Sequence, residues 1–329
     1  LTNASLPRVH VIVLGGTITM MPEPQGGIVP ALDGAMLIAA VPRLADIAAI
    51  TVETPFLVPG ASLSFAQLRQ VSQLIAGAIA SGAQGVVVVQ GTDTIDETAF
   101  LLGLAHSADA PLVITGAMRG ASAPGADGPA NLLAAISVAA AETARRLGAL
   151  VVLNDEIHAA ALVEKSHKGL PSAFTSPSAG PLGAVIEEHV RILLRPQRPD
   201  ALGVMPELAR VAMLKPGLGD EGDLIEAIAA LGYGGLVVEG MGAGHVPAAL
   251  LPGLAVLPAT LPIVLASRVP AGPVFENTYG FAGSERDLIA RGLIPAGLLS
   301  APKARLLLAF LVAQGRDRAA VAQIFRHYA

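Results

Sequence analysis

The chain has 329 residues, 53% of them hydrophobic and 14% charged, with a formal net charge of −5 at pH 7. That length holds two domains with substantial cores, and the balance excludes a disordered chain. Lysine and arginine are not concentrated in any segment, which argues against nucleic acid as a partner, and no apolar run is long enough to read as a membrane span. Cysteine is absent, which removes disulfides and thiolate metal sites, and aromatics at 3% disfavour stacking on sugars or bases. No metal or cofactor is expected. So apolar a chain has large surfaces to bury, which points to an oligomer.

Short β-branched runs alternate with stretches of helical period. Residues 8–16 predict a strand, 34–47 mostly a helix, 51–58 a strand, and 64–82 a helix with Ser64 as its N-cap. The dry run GVVVVQG at 85–91 predicts a strand and IDETAFLLGLAHSA a helix from Ile95. A strand at 111–117, a helix around 128–146 and a strand at 147–155 follow. Residues 184–210 are more charged and proline-containing, and read as short strands followed by a linker. The alternation then resumes with strands at 210–217, 234–244 and 261–272 and helices at 222–232 and near 302–314. Buried strands between amphipathic helices predict a parallel sheet covered on both faces. The expected fold is therefore α/β: a larger N-terminal parallel-sheet domain covered by helices (1–190), a linker (191–209) and a smaller C-terminal α/β domain (210–329). The sequence opens Leu1-Thr2-Asn3 and reaches a strand by Arg8, with no signal segment in view. A cytoplasmic location is expected over a periplasmic one.

In an open parallel sheet, ligands bind beyond the carboxyl ends of the strands. Here the first strand ends Gly15-Gly16-Thr17-Ile18-Thr19, the third Gly91-Thr92-Asp93-Thr94 and the fourth Thr115-Gly116-Ala117-Met118-Arg119. Glycine lets backbone N–H groups approach a ligand, and a threonine hydroxyl follows each of the first two glycine turns. Helix capping competes with this reading, since Thr and Asp after a strand are ordinary N-caps and a helix begins near Ile95. Lys165, one of four lysines against 17 arginines, lies in the polar stretch VEKSHKG, where a plain surface lysine is the simpler assignment.

The segments VLGGTIT and QGTDTIDETAF resemble the two signatures of the bacterial-type L-asparaginase/glutaminase family. GAMR, ADGPANL, VLND, EKSHKG, GPLG, GMGAGHVP and SRVPAG follow in that family's order and spacing, so the resemblance spans essentially the whole chain. It implies hydrolysis of the side-chain amide of asparagine to aspartate and ammonia. Thr17 then corresponds to the family's nucleophilic threonine, and Thr92, Asp93 and Lys165 to its second catalytic group. Ala117 corresponds to the backbone carbonyl that meets the amide, with Gly16 and Gly91 beside the substrate. The chemistry is consistent: a threonine hydroxyl attacks only when a neighbour takes its proton, and a lysine shielded from water can be that base. Glycine-flanked N–H groups can stabilise the oxyanion.

Several positions depart from the family pattern. Its lid tyrosine falls on about Gly27 of MPEPQGGIVPA, so the proton partner of Thr17 must be Glu23, a water, or Tyr279 or Glu276 from the second domain. The residues that receive the substrate carboxylate fall on Gly60 and Ala61, with Ser62 one step along, so backbone N–H or Ser62 must serve. An asparagine that enters the neighbouring subunit's site is replaced by His245, and Gln90 replaces a histidine, a change expected to matter little. The resemblance implies a homodimer or homotetramer, with His245 or Glu276 completing another subunit's site. A preferential glutaminase is the nearest alternative. An amidotransferase subunit would need an extra domain or a partner surface, and a non-catalytic ligand-binding protein would need a fuller nucleotide fingerprint.

Overall fold

The computed structural model describes residues 6–257 and 261–329. Residues 1–5 of the expected N-terminal domain lie outside the described residues. Two compact units divide the chain between Val204 and Met205.

The strands of the first unit are β1 (Arg8–Val13), β2 (Met20–Pro22), β3 (Ile28–Pro30), β4 (Ala49–Glu53), β5 (Gly85–Val89), β6 (Leu112–Thr115), β7 (Ala149–Leu153), β8 (Glu156–Ala159), β9 (Glu164–Lys165), β10 (Phe174–Thr175), β11 (Gly183–Ile186) and β12 (His189–Ile192). Its helices are α1 (Gly34–Ala39), α2 (Phe65–Ala80), α3 (Ile95–Ala105) and α4 (Gly128–Ala140). Eight strands form one sheet in the order β12-β11-β8-β7-β6-β5-β1-β4. From β4 to β7 neighbours run parallel. The chain moves from β1 to β4 on one side, then crosses to β5 on the other. That reversal of direction places a crevice at the carboxyl ends of β1 and β5.

The four valines of β5 are dry because the sheet is covered twice. Val87 and Val89 join a cluster with Val11, Val13, Leu132, Ile136 and Val138, while Val86 and Val88, of opposite parity, are equally buried. Helix α2 starts on a capping box: Ser64 Oγ accepts from Gln67 N at 3.3 Å and Gln67 Oε1 accepts from Ser64 N at 2.9 Å. The expected all-parallel sheet gives way at its far edge to the antiparallel strands β8, β11 and β12. The cause is local. Asn154 and Asp155 (φ 52° and 61°) and Glu187 and Glu188 (φ 51° and 64°) are paired left-handed residues, the conformation of two-residue hairpins. The strand read through 58 stops at Glu53, two residues before Pro55, which has no N–H to pair. The helix read to 47 is broken into α1 and a 3₁₀ turn at Pro42–Asp46.

The second unit has β13 (Val211–Leu214), β14 (Gly235–Gly240), β15 (Ile263–Ser267) and β16 (Ile294–Pro295), all parallel in that order. Its helices are α5 (Asp223–Ala230), α6 (Leu251–Val256), α7 (Glu285–Ala290), α8 (Ala301–Ala313) and α9 (Arg318–Phe325). One core of Leu236, Val238, Leu254, Leu265 and Leu288 fills a face of this sheet. No described helix is long and apolar enough to cross a membrane.

Candidate active site

Three turns meet at the crevice because each presents a glycine where no side chain fits. Gly16 adopts φ 88°, and a Cβ there would lie 2.1 Å from Gly91 N. A Cβ on Gly60 would lie 2.7 Å from Gly91 O. The backbones following β1, β4 and β5 therefore touch, and the residues after the first and third glycines are Thr17 and Thr92. Thr17 opens a 3₁₀ turn, Thr17–Thr19, and is half-buried. Thr19 is buried beneath it. Its hydroxyl donates to Gly16 O at 2.8 Å, and its carbonyl accepts from Ala31 N and Leu32 N, both at 2.9 Å. These bonds root the β2–β3 hairpin on the turn that carries Thr17. Glu23 and Gly27 are exposed at its tip, where Glu23 N donates to Gly27 O at 3.2 Å.

Lys165 reaches the second threonine from a distant part of the chain. Its Nζ lies 2.9 Å from Thr92 Oγ1 and 2.7 Å from Asp93 Oδ1. The lysine side chain is 17% exposed and that of Asp93 64% exposed, so the amine is shielded while the carboxylate opens to solvent. This is not a surface lysine. Nor does Asp93 act as the helix cap: the N-cap of α3 is Thr94, and no side-chain cap bond forms there. Asp96, in the first turn of α3, accepts from Lys165 N at 3.2 Å and ties β9 to the Thr92 turn.

Ala117 is buried beyond β6 and is held by a network that sequence reading passed over. Asp127 accepts from Met118 N and Arg119 N, each at 2.9 Å. Asn131, nearly fully buried, donates to Gly116 O at 2.9 Å and accepts from Asn154 N at 2.9 Å. Together these fix both neighbours of the Ala117 carbonyl. The available signal was the segment ADGPANL itself, which supplies Asp127 and Asn131 one helical turn apart.

The Gly60–Ser62 segment is a 3₁₀ turn with Gly60 buried and Ala61 and Ser62 exposed. In the second unit His245 follows β14, and its Nε2 lies 3.2 Å from Glu285 Oε2. Glu285 is fully buried, which pushes its pKa up, but N–H donors from Tyr279 and Thr278 and the nearby His245 bring it below the ordinary carboxylate value. The His245 ring packs edge-on against Tyr279 and Phe281, with centroids 4.8 and 5.0 Å away. Glu276 is exposed in the same unit. No group of three or more metal-ligating side chains occurs among the described residues. An open groove of about 850 Å³, lined by Pro7, Ala140, Glu188 and His189, lies at the amino end of β1, away from this chemistry.

A doubly covered α/β sheet brings Thr17 and Thr92 to its switch point, with the shielded Lys165 amine and the Asp93 carboxylate beside Thr92, the arrangement of an α/β protein with a hydroxyl-and-amine site at its strand ends. Residues 8–198 match the family model described as Asparaginase, N-terminal, and residues 210–325 match the Glutaminase/Asparaginase C-terminal domain. A probable L-asparaginase of Deinococcus radiodurans is 38% identical over 328 residues, 98% of each chain. L-asparaginase 2 of Escherichia coli is 30% identical over 340 aligned residues, covering 98% of this chain and 94% of that one. The crystal structure of a probable cytoplasmic L-asparaginase from Campylobacter jejuni superposes with TM-score 0.87 at 31% identity, over 97% of this chain and 99% of that one. The chain belongs to the asparaginase family and is an asparaginase-type amidohydrolase, which hydrolyses the side-chain amide of L-asparagine.

Proposed function

We propose that Thr17 is the nucleophile and that Thr92, Asp93 and Lys165 form the second catalytic group. The observation that carries this reading is the Lys165 amine, 2.9 Å from Thr92 Oγ1 and 2.7 Å from Asp93 Oδ1. Thr17 Oγ1 attacks the amide carbon and yields its proton to a base. The C–N bond then breaks and ammonia leaves carrying a proton. Water, deprotonated by Thr92 through Lys165, attacks the resulting ester to release aspartate and restore the Thr17 hydroxyl. The N–H groups of the glycine turns face the oxyanion, and the Ala117 carbonyl accepts from the amide nitrogen. Asp93, open to solvent, also receives the substrate ammonium.

The substrate carboxylate is assigned to the Gly60-Ala61-Ser62 turn. Ser62 N and Leu63 N close that turn internally onto Pro59 O and Gly60 O, at 2.9 and 3.2 Å. The carboxylate therefore falls to the Ser62 hydroxyl and the Ala61 N–H. With Gly27 at the lid position, the proton of Thr17 passes to Glu23, to a water, or to Tyr279 or Glu276 of the second domain. Glu23→Gln, Tyr279→Phe and Glu276→Gln separate these by which one lowers kcat, and a loss in none of them assigns the water.

The active form is taken to be a homodimer or homotetramer in which His245 and Glu276 complete a neighbouring site. We assign residues 1–190 to the catalytic domain, 191–209 to the linker and 210–329 to the C-terminal domain, and place the enzyme in the cytoplasm. Thr17→Ala tests the central assignment: ammonia release from asparagine is expected to fall at least about a hundredfold, and an unchanged rate would overturn it.

A further inference from the structure

Gln90 stands between β5 and the Thr92 turn and is completely buried. Its Nε2 donates to Gly91 O at 3.3 Å and to Thr94 Oγ1 at 3.2 Å. The Thr94 hydroxyl in turn donates to Gly60 O at 3.0 Å. The direction of this chain is fixed by its ends. Both carbonyls accept only, so the amide must present nitrogen to them and the hydroxyl must pass its proton on. Gln90 Oε1 is buried without a hydrogen-bond partner among the described residues, so the side chain is held through its nitrogen. The relay joins the two turns whose backbones already touch at Gly60 and Gly91, separated by 31 positions in the sequence.

We propose that Gln90, acting through Thr94, is a positioning residue that sets the Gly60–Ser62 turn against the Thr92 turn and thereby governs recognition of the substrate α-carboxylate. This rests on the assignment of that turn as the carboxylate site. Contact between glycine backbones excludes side chains but does not by itself hold register, because two smooth surfaces slide. Val58 N donates to Leu14 O at 2.9 Å and anchors the approach to the turn, and the hydrogen bond to Gly60 O adds the direct link between the turn itself and the Thr92 turn. A displaced turn carries the Ala61 N–H and Ser62 hydroxyl away from the carboxylate while leaving Thr17, Thr92 and Lys165 in place.

The test compares L-asparagine with 3-aminopropanamide, which keeps the amine and the amide but lacks the carboxylate. For Thr94→Val and Gln90→Glu, kcat/KM for asparagine is expected to fall about tenfold, chiefly through KM. For 3-aminopropanamide it is expected to stay within about twofold. The ratio of the two values on one sample cancels any inactive fraction, so partial misfolding does not imitate the result. Thr94→Ser, which keeps the hydroxyl, is expected to restore the ratio. Equal losses on both substrates, or no loss on either, would overturn the relay. Ala61→Asp, which sets a negative charge on the turn, probes the underlying assignment separately. If it leaves the ratio unchanged, the carboxylate site is elsewhere and both readings fall. If it changes the ratio while Thr94→Val does not, the relay alone fails.

Discussion

Both units end parallel strands in glycine-rich turns, yet those turns do different things. In the first unit a Cβ on Gly16 would strike Gly91, which belongs to another strand's turn. In the second a Cβ on Gly240 would lie 2.9 Å from His245 O, within its own turn, which closes by Met241 N donating to His245 O at 2.7 Å. Gly16 and Gly60 bring distant segments together, whereas Gly240 folds a single segment back on itself. Cation–carboxylate pairs divide the same way. Lys165 is shielded and also meets a threonine, whereas Lys215, 3.0 Å from Glu239, is mostly exposed. A glycine turn at a strand end is therefore not a candidate site until separate turns converge on one another beside a shielded amine.

Substitutions at matched positions sharpen that contrast. Lys165→Ala is expected to lower kcat about a thousandfold, whereas Lys215→Ala should leave it within about threefold. Gly16→Ala should cost at least about a hundredfold in kcat/KM by displacing the Thr92 turn. Gly242→Ala faces the His245 ring, with Nδ1 at 3.7 Å; its φ of 52° costs stability, about 1 kcal/mol, read as a small drop in Tm. Glu285→Ala orphans the N–H groups of Thr278 and Tyr279, bonded at 2.9 and 2.6 Å. Thermal unfolding should register the loss of about 2–3 kcal/mol.

The mildest effect is the response to acid. Burial depresses the pKa values of His106 and His158 below the free value, against a backbone carbonyl in one case and Glu156 in the other. The unfolded chain then binds more protons than the folded one below about pH 6.5, so stability is full above that pH and declines toward the folded-state values. Denaturant melts between pH 7 and 5 should show this slope, and His158→Asn should flatten it (about pH 7 to 5 is the window set by the free histidine value).

The convergence of the first unit was partly legible in the sequence. Val86–Val89 declared a doubly covered strand, and Gly91-Thr92-Asp93 declared an unusual end to it, because burial and turn chemistry are written locally. Ser64 likewise announced its helix. The hairpins at Asn154-Asp155 and Glu187-Glu188 were not legible, since their left-handed backbone lies in residues without glycine. Lys165 sits on a two-residue strand set by pairing with Phe174, a contact no local pattern records. Its assignment came from the family resemblance, while Asp96, Asp127 and Asn131 escaped notice because each acts through a backbone group brought near only by the fold. Gln90 was expected to matter little, and its buried relay to Gly60 gives it a specific task to be tested.

The role of Lys165 is decided by steady-state ammonia release from asparagine and glutamine, measured in parallel for the wild type and Lys165→Ala. The wild type is expected to release ammonia faster from asparagine than from glutamine, and the variant to lose about a thousandfold with both amides. A Lys165→Ala enzyme that hydrolyses asparagine at the wild-type rate would contradict it.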